Sequence, residues 1–166
     1  MLLGGTELPN DRYVQDEKIC EAVAKYLAKV GIKCNLDVKP KAVFFQEAIE
    51  AKHNFFMLGW LANSYDYGNN YAYMMHTFNK ENGLGTWNGV RYSNPNLDKM
   101  YAETAKMVDL AERNKALQEL NKAVMDNVVS IPVHYGLNTY GVQKAKGLVF
   151  QPRPDRWLVF REMSLQ

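Results

Sequence analysis

Hydrophobic and polar residues alternate with two different periods over the first sixty residues. Apolar residues first recur at helical spacing up to Gly31, and a glycine at this place commonly ends a helix. Residues 32–38 then alternate with period two, which predicts a strand with one solvated face. Pro40 ends this strand and opens a second helix. Residues 55–60 form a short unbroken apolar run, which is typical of a strand buried on both faces. The predicted inner face of the first helix consists of Ile19, Val23, Tyr26, Leu27 and Val30, with Asp11 or Asp16 as its cap, and that of the second helix of Phe44, Phe45, Ala48 and Ile49.

Two further helices are predicted in the second half of the chain. Asn94 followed by a proline supplies a cap and a first-turn residue, and Asp109 begins a capping-box pattern. Residues 129–135 predict a strand, which Pro132 demotes to an edge or a bulge. The alternation of strands and helices predicts an α/β fold. The expected buried positions are Leu97, Met100, Tyr101, Thr104 and Val108 in the first helix and Leu117, Leu120, Val124 and Val128 in the second, and short strand-like pieces follow near 140–142, 148–150 and 157–160.

The composition is that of an ordinary globular chain of 166 residues. Hydrophobic residues make up 47% and charged residues 23%, so we expect one well-packed domain. Twenty basic against 18 acidic residues give a net charge of +2, which is too small to indicate a nucleic-acid partner. No apolar run is long enough to span a membrane. Residues 1–10 lack the cationic and apolar regions of a secretory signal.

The two cysteines are predicted to be free, buried thiols. Cys20 lies about ten residues before the predicted end of the first helix, roughly 15 Å along its axis. Cys34 begins the strand that follows this end. A disulfide requires Cα atoms within about 7 Å of each other. The redox compartment therefore stays open.

Residues 60–92 are unusually rich in aromatic and amide side chains. They contain eight aromatic residues, against about four expected from the 12% average, and Asp66 is the only formal charge between residues 61 and 79. Aromatic faces mixed with neutral amides suit an amphipathic ligand. The stretch also follows the end of a predicted buried strand, where open α/β sheets bind their ligands. The alternative is that the tyrosines pack a helix and the asparagines form turns.

The sequence contains few patterns that indicate catalysis. The three histidines His53, His76 and His134 show no metal-ligand spacing, and no nucleophile motif surrounds a serine or cysteine. The glycines of residues 83–89 lack the lysine and serine of a phosphate-binding loop. We therefore predict no catalytic residue, no metal and no cofactor. His134 beside Tyr135 is interpreted as either a ligand contact or a structural histidine.

Five segments in register resemble motifs of one known family. Residues 28–33 (AKVGIK) resemble its helix-to-strand step and residues 57–60 (MLGW) its Gly-Trp strand. Residues 88–98 (NGVRYSNPNLD) resemble its N-x-x-x-Y-S-N-P-x-x-D signature. Residues 109–113 and 130–133 (SIPV) resemble a D-x-x-x-R helix start and an I-P-V strand. The chain thus resembles the C-terminal third of a family 5 solute-binding protein, of the oligopeptide/dipeptide type, which serves an ABC importer.

The resemblance implies a type II periplasmic binding protein-like fold, with a mixed sheet flanked by helices. Residues 1–166 would form a single C-terminal lobe of a larger two-lobed protein. A peptide or similar small solute would be captured between the lobes without any bond being made or broken. The implied partners are the N-terminal lobe of the same protein and an ABC permease of the inner or cytoplasmic membrane, with no nucleic acid, and the location is extracytoplasmic. The residues implied or inferred to contact the ligand are Gly59, Trp60, Leu61, Ala62, Asn63, Tyr65, Asp66, Trp87, Asn88, Arg91, His134 and Tyr135.

One position departs from the family pattern. Peptide-binding members usually hold the ligand's α-amine with an aspartate three residues after the tryptophan, where this chain has Asn63. Either Asp66 substitutes for it or the ligand is not a free-amine peptide, because family members also bind oligosaccharides, opines, glutathione and metal chelates. Arg91 is predicted either to hold a ligand carboxylate or to pair with Asp98 in the fold.

Two other classes of function compete with the transport interpretation. Similar lobes occur as ligand sensors in cytoplasmic transcriptional regulators, and a DNA-binding segment upstream would identify such a protein. A small enzyme would need a perturbed acid or base near Trp60, and the scarcity of charge there argues against it. The chain itself is expected to be a domain excised from a longer protein rather than a remnant reading frame.

Overall fold

The computed structural model describes residues 2–4, 15–62, 66–137, 139–141, 147–149, 151–153 and 156–165. The chain divides into two units, residues 1–131 and residues 132–166. Asp11, Asn63, Tyr65, Val142 and Phe150, which carried predictions, lie outside the described residues.

A small parallel sheet lies in the first unit. Its strand order is β2-β1-β3, with β1 at Leu2–Gly4, β2 at Asn35–Leu36 and β3 at Phe55–Phe56. Leu3 of β1 is in register with Leu36 on one side and Phe55 on the other. The strands predicted over 32–38 and 55–60 are therefore correct in place but too long. The described chain is rich in helix and poor in sheet.

Helix α1 spans Asp16–Lys29 and ends before Gly31, which has a φ of +82°. The structure corrects the predicted inner face of this helix. Asp16 and Cys20 are the most buried residues, at 2% and 3% exposure, and they lie one turn apart. Tyr26 is 66% exposed, and Val30, which lies just beyond the end of the helix, is 72% exposed. Asp16 is the first helical residue rather than the cap, because Gln15 precedes it at the cap position.

Helix α2 spans Lys41–Ile49 with Pro40 as its cap residue, as the sequence predicts. Phe44 and Ala48 are buried at 1% and 2% exposure, and Phe45 is half-buried. Ile49, predicted to face inward, is 42% exposed because it is the last helical residue.

Three helices form the main hydrophobic core: α3 (Tyr67–Met74), α4 (Pro95–Thr104) and α5 (Leu110–Asp126). Both predicted caps are confirmed. The Asn94 side chain accepts from two N–H groups of α4, and the Asp109 side chain accepts from two N–H groups of α5. The buried residues of this core are Tyr71, Met75, Leu97, Leu117, Leu120 and Val124.

Two predicted core positions are wrong for the same reason. Val108 is 93% exposed and Val128 is 69% exposed. Each lies just beyond the end of its helix, where residues four positions apart no longer share a face.

The second unit contains an antiparallel pair, β4 (Leu148–Val149) with β5 (Ser164–Leu165), and a 3-10 helix at Phe160–Glu162. The strand predicted over 129–135 is absent from the structure, and residues 131–137 are exposed. Pro132 lacks the N–H that a ladder needs, which explains the difference.

Cys20 and Cys34 are free, as predicted, although Cys34 is half-buried rather than buried. Within the described residues, no group of three or more His, Cys, Asp or Glu side chains could hold a metal ion. None of the helices in the described part of the chain combines the length and hydropathy needed to cross a membrane.

Candidate ligand-binding site

An aromatic pocket of about 180 Å³ opens in the first unit. Three sequence segments supply its lining: helix α2, the segment that follows β3, and the turn that follows α3. The lining residues are Phe45, Leu58, Trp60 and Trp87. All four are half-buried, so their side chains are shaped by the fold while part of each stays accessible.

Helix α3 holds Trp60 in place through two contacts. The indole Nε1 of Trp60 donates a hydrogen bond to Oδ1 of Asn69 at 2.8 Å. The Trp60 ring stacks on Tyr73 with the centroids 5.4 Å apart and an interplanar angle of 30°. Asn69 and Tyr73 are four residues apart, so they share one helical face. The position and orientation of the Trp60 ring are therefore fixed before any ligand arrives.

A tight turn after α3 places Trp87 in the lining of the same pocket. The backbone N–H of Trp87 donates to the carbonyl of Tyr73 at 2.9 Å, and the Trp87 ring meets Phe45 edge-on at 5.4 Å. The turn requires Gly85, whose φ is +63° and whose N–H donates to the carbonyl of Ala72. A Cβ at position 85 would lie 2.3 Å from a backbone oxygen, so no other residue fits there.

The segment of residues 57–62 borders the pocket and belongs to no helix, strand or turn. The unbroken apolar run predicted it to be buried on both faces, but residues 57–60 are half-buried and Leu61 is 37% exposed. Apart from the ladder of β3 with β1, no backbone hydrogen bond between described residues joins this segment to another part of the chain. As far as the described residues go, its N–H and C=O groups, including those of Gly59 and Ala62, are open to pairing with water or a ligand.

Asn88 is part of the framework of the site. Its side chain is 2% exposed, and its Nδ2 donates to the carbonyls of His76 at 3.0 Å and Tyr92 at 2.7 Å. Its Oδ1 accepts from the backbone N–H of Tyr92. Both ends of the amide are thus used to close the turn.

Arg91 is engaged with helix α2. Its guanidinium donates to the carbonyl of Ile49 at 2.6 Å and to that of Asn88 at 3.1 Å. It also lies 3.9 Å from the ring centroid of Phe78. A cation at a helix C-terminus satisfies an orphan carbonyl and complements the helix dipole. Gly89 permits this close approach, because a Cβ there would lie 2.8 Å from a carbonyl of α2.

The predicted alternative in which Arg91 pairs with Asp98 is wrong, because Asp98 has other partners. Its carboxylate accepts from the Tyr71 hydroxyl at 2.8 Å and from the N–H and Oγ1 of Thr77. The Nδ1 of His76 lies 3.6 Å away. These contacts tie the start of α4 to α3 and to the turn that follows it.

Asp66 caps α3 and pairs with α5. It accepts from the N–H of Gly68 at 2.7 Å, and its Oδ2 accepts from Nε and Nη2 of Arg113 at 3.1 and 2.8 Å. Arg113 donates in addition to the carbonyl of Thr104. The negative charge of Asp66 is thus already compensated inside the fold.

The remaining predicted contacts lie in the second unit or outside the described residues. His134 and Tyr135 belong to the second unit, where Tyr135 is 97% exposed. Asn63 and Tyr65 lie outside the described residues.

Sequence reasoning missed Phe45, Leu58, Asn69 and Tyr73 as parts of the site. A usable signal existed for one pair, since Asn69 and Tyr73 recur at the spacing of one helical face within the aromatic stretch. The packing-and-turn alternative for that stretch is confirmed in part, and the ligand-surface alternative stays a prediction. Tyr71 packs the helical core and Asn88 closes a turn, whereas Trp60 and Trp87 line the pocket.

Solved structures with the same fold place this arrangement in context. One is the ABC transporter-associated periplasmic binding protein DppA from Helicobacter pylori in complex with peptide STSA, with a TM-score of 0.65, 17% identity and 77% of this chain covered. HbpA2 from Haemophilus parasuis matches over 99% of this chain with a TM-score of 0.74 and 20% identity. A dipeptide binding protein from Pseudoalteromonas sp. SM9913 in complex with Met-Leu matches with a TM-score of 0.64 and 19% identity over 77%. The chain has the fold of a piece of a periplasmic solute-binding protein.

The predicted resemblance to family 5 solute-binding proteins is thereby confirmed at the level of the fold. The chain spans 24%, 32% and 25% of these three chains, so it corresponds to a quarter to a third of their length. Two of the three are described as binding proteins, and none is described as a transcriptional regulator. Neither protein-family models nor curated proteins give a significant match to the sequence.

Proposed function

We propose that this chain is one lobe of the substrate-binding component of an ABC transporter, and that it captures a peptide or a similar small solute. The observation that carries the proposal is the juxtaposition of the aromatic pocket with residues 57–62, which lack backbone partners among the described residues apart from the ladder of β3 with β1. This arrangement occurs in a fold shared with proteins that bind the peptide STSA and Met-Leu.

In this proposal the ligand lies along residues 57–62. An extended peptide could add to the backbone groups of Gly59, Trp60, Leu61 and Ala62 in the manner of an additional strand. Main-chain hydrogen bonds of this kind bind a peptide whatever its sequence. The pockets that receive the side chains of the peptide then determine which peptides bind.

The other predicted contacts separate into two groups. Asp66, Asn88 and Arg91 shape the site, because each has its main polar partners within the fold. Asn63, Tyr65, His134 and Tyr135 remain proposed ligand contacts, and a ligand without a free α-amine fits the asparagine best.

The whole protein is proposed to have a second, N-terminal lobe that completes the cleft by a hinge motion. Residues 1–166 would then be its C-terminal lobe. We place the full-length protein outside the cytoplasm, where it would deliver its solute to a membrane permease. One lobe buries only part of the ligand, so weak binding is expected from this chain alone.

The proposal is tested by adding Met-Leu and Ser-Thr-Ser-Ala, each with a free and with an acetylated α-amine, to the isotope-labelled chain and following its ¹H–¹⁵N spectrum. Peptides at millimolar concentration should shift the amides of residues 57–62 in a saturable way. Leu61→Pro removes one N–H of this segment and should weaken binding, whereas Leu61→Ala keeps the N–H and serves as its control. Absence of peptide-dependent shifts anywhere in the wild-type spectrum would overturn the proposed function.

A further inference from the structure

We propose that the aromatic pocket selects a single uncharged, apolar side chain of the ligand, of about the size of leucine, methionine or phenylalanine. This inference rests on the proposed function, because it names what the pocket beside residues 57–62 would receive. The pocket is lined by Phe45, Leu58, Trp60 and Trp87.

The volume of the pocket fits one side chain and not a whole ligand. Sites that enclose an entire small molecule usually measure about 300–1,000 Å³. A cavity of about 150 Å³ lined by apolar side chains holds one benzene molecule. At about 180 Å³, this pocket therefore matches a branched aliphatic, thioether or phenyl group.

The side chains that line the pocket offer few polar atoms. Only the two indole nitrogens of Trp60 and Trp87 are polar among its side-chain atoms, and Nε1 of Trp60 already donates to Asn69 at 2.8 Å. In the proposed function the backbone groups of residues 57–62 pair with the main chain of the ligand. An amide or hydroxyl on a ligand side chain that enters the pocket would then lose its water without a full replacement. Polar groups are therefore disfavoured at this subsite.

The charged side chains close to the site in sequence, Asp66 and Arg91, are engaged with partners within the fold. The carboxylate of Asp66 is paired with Arg113 at 2.8 Å, and the guanidinium of Arg91 donates to the carbonyls of Ile49 and Asn88. A ligand carboxylate or ammonium group in the pocket would meet no dedicated partner among them, and desolvating it there is costly.

An aromatic pocket can also attract a cation through ring faces, so this alternative needs its own argument. One face of Trp60 is covered by Tyr73 at 5.4 Å, and Trp87 and Phe45 meet edge-on at 78°. These contacts reduce the free ring area that a cation would need. At an accessible site the attraction is also modest, whereas burial of an apolar group uses the whole lining.

The test uses blocked single amino acids, which report on one side chain at a time. N-acetyl-leucinamide, -methioninamide, -glutaminamide, -glutamate amide and -lysinamide are added in turn to the labelled 166-residue chain. The indole N–H signals of Trp60 and Trp87, assigned with Trp→Phe variants, report occupancy of the pocket. The leucine and methionine probes should shift both signals, and the glutamine, glutamate and lysine probes should bind at least about tenfold more weakly.

Leu58→Asn places a polar group of nearly the same size in the lining and should reduce binding of the leucine probe. Leu110→Asn is the matched control, because Leu110 is 74% exposed on α5 and does not line the pocket. Unchanged binding in Leu58→Asn, with both variants folded, would contradict the assignment of the pocket.

The remaining outcomes separate this inference from the proposed function. Equal or tighter binding of the lysine probe would overturn the selectivity and leave peptide binding intact. Peptide-dependent shifts at residues 57–62 without any indole shift would show that the pocket is not a subsite. Absence of shifts with both the peptides and the probes would overturn the inference and the proposed function together.

Discussion

The two faces of helix α3 use similar residues for opposite purposes. On one face, Tyr71 is completely buried in the helical core, and its hydroxyl donates to Asp98 at 2.8 Å. On the other face, Tyr73 is 38% exposed and stacks on Trp60 at the edge of the pocket. Only two positions separate the two tyrosines in the sequence, yet one belongs to the core and the other to the candidate site.

The difference lies in how completely each face is satisfied. The core face has a polar partner for the buried hydroxyl and apolar neighbours from α4 and α5 around the ring. The pocket face fixes its rings by one hydrogen bond and one stacking contact, and it leaves apolar area uncovered. Apolar area that is held in place but not covered is what a ligand side chain can bury.

The largest expected effect of a substitution is therefore on the core face. Tyr71→Ala removes a fully buried ring and leaves the Asp98 carboxylate without its hydroxyl donor, so the free energy of unfolding should fall by about 3–5 kcal/mol. Tyr73→Ala, on the other face, should cost no more than about 1 kcal/mol. Urea denaturation followed by circular dichroism measures both. Equal losses in the two variants would show that the faces do not differ in this way.

Alkaline pH should lower the stability of the same helical core. Burial raises the pKa of Tyr67 to about 12, and burial followed by the hydrogen bond to Asp98 raises the pKa of Tyr71 as well. Between about pH 10 and 12 the unfolded chain releases these protons while the folded chain retains them, so stability falls as pH rises.

Stability measured at several pH values between neutral and strongly alkaline checks this dependence. Tyr67→Phe removes one of the groups responsible, so the variant should lose less stability than the wild type over the same interval. A wild-type chain whose stability stays constant through this interval would contradict the sign derived for the core tyrosines.

A smaller effect is expected at Arg91, which joins the pocket turn to α2. Arg91→Ala removes the hydrogen bonds to the carbonyls of Ile49 and Asn88, and should destabilise the chain by about 1–2 kcal/mol. Arg91→Lys keeps the charge near the helix end and should recover part of the loss. Thermal melting measures the stabilities of both variants.

The same variants decide whether Arg91 binds a ligand carboxylate. If the role of Arg91 is structural, Arg91→Ala should weaken the binding of Met-Leu and the binding of Met-Leu amide to the same extent. A selective loss of the carboxylate form with an unchanged melting temperature would make Arg91 a ligand-binding residue.

Local signals explain which parts of the fold are predictable from the sequence. Asn94 and Asp109 are correctly predicted as caps because a cap depends on hydrogen bonds within one helical turn. Val108 and Val128 are wrongly predicted as buried because periodicity does not state where a helix ends. Residues 55–60 look like a long strand because an apolar run is the same whether its backbone is paired or left open.

The candidate site is predictable only in its composition. The excess of aromatic residues between 60 and 92 correctly marks Trp60 and Trp87 as unusual, but the same excess includes Tyr71 of the core. The pocket exists because Phe45 of α2 meets Trp87, and that contact depends on tertiary packing of distant segments. Arg91 looks like a free cation in sequence for the same reason, since its carbonyl partner on α2 is remote.

The smallest expected change in stability occurs at Asn69, and it tests the pocket face most sharply. Asn69→Ala removes the acceptor of the Trp60 indole, so the free energy of unfolding should change by only about 0.5–1 kcal/mol. Asn114→Ala on the exposed side of α5 controls for the higher helix propensity of alanine. Urea denaturation of both variants gives the comparison.

The same substitution should alter selectivity more than stability. With Asn69 replaced, the Trp60 N–H loses its partner and becomes able to donate to a group inside the pocket. The glutamine probe should then bind several-fold more tightly than to the wild type, while the leucine probe changes little. If neither probe responds, the indole of Trp60 does not face the bound group, and the difference between the two faces of α3 reduces to exposure alone.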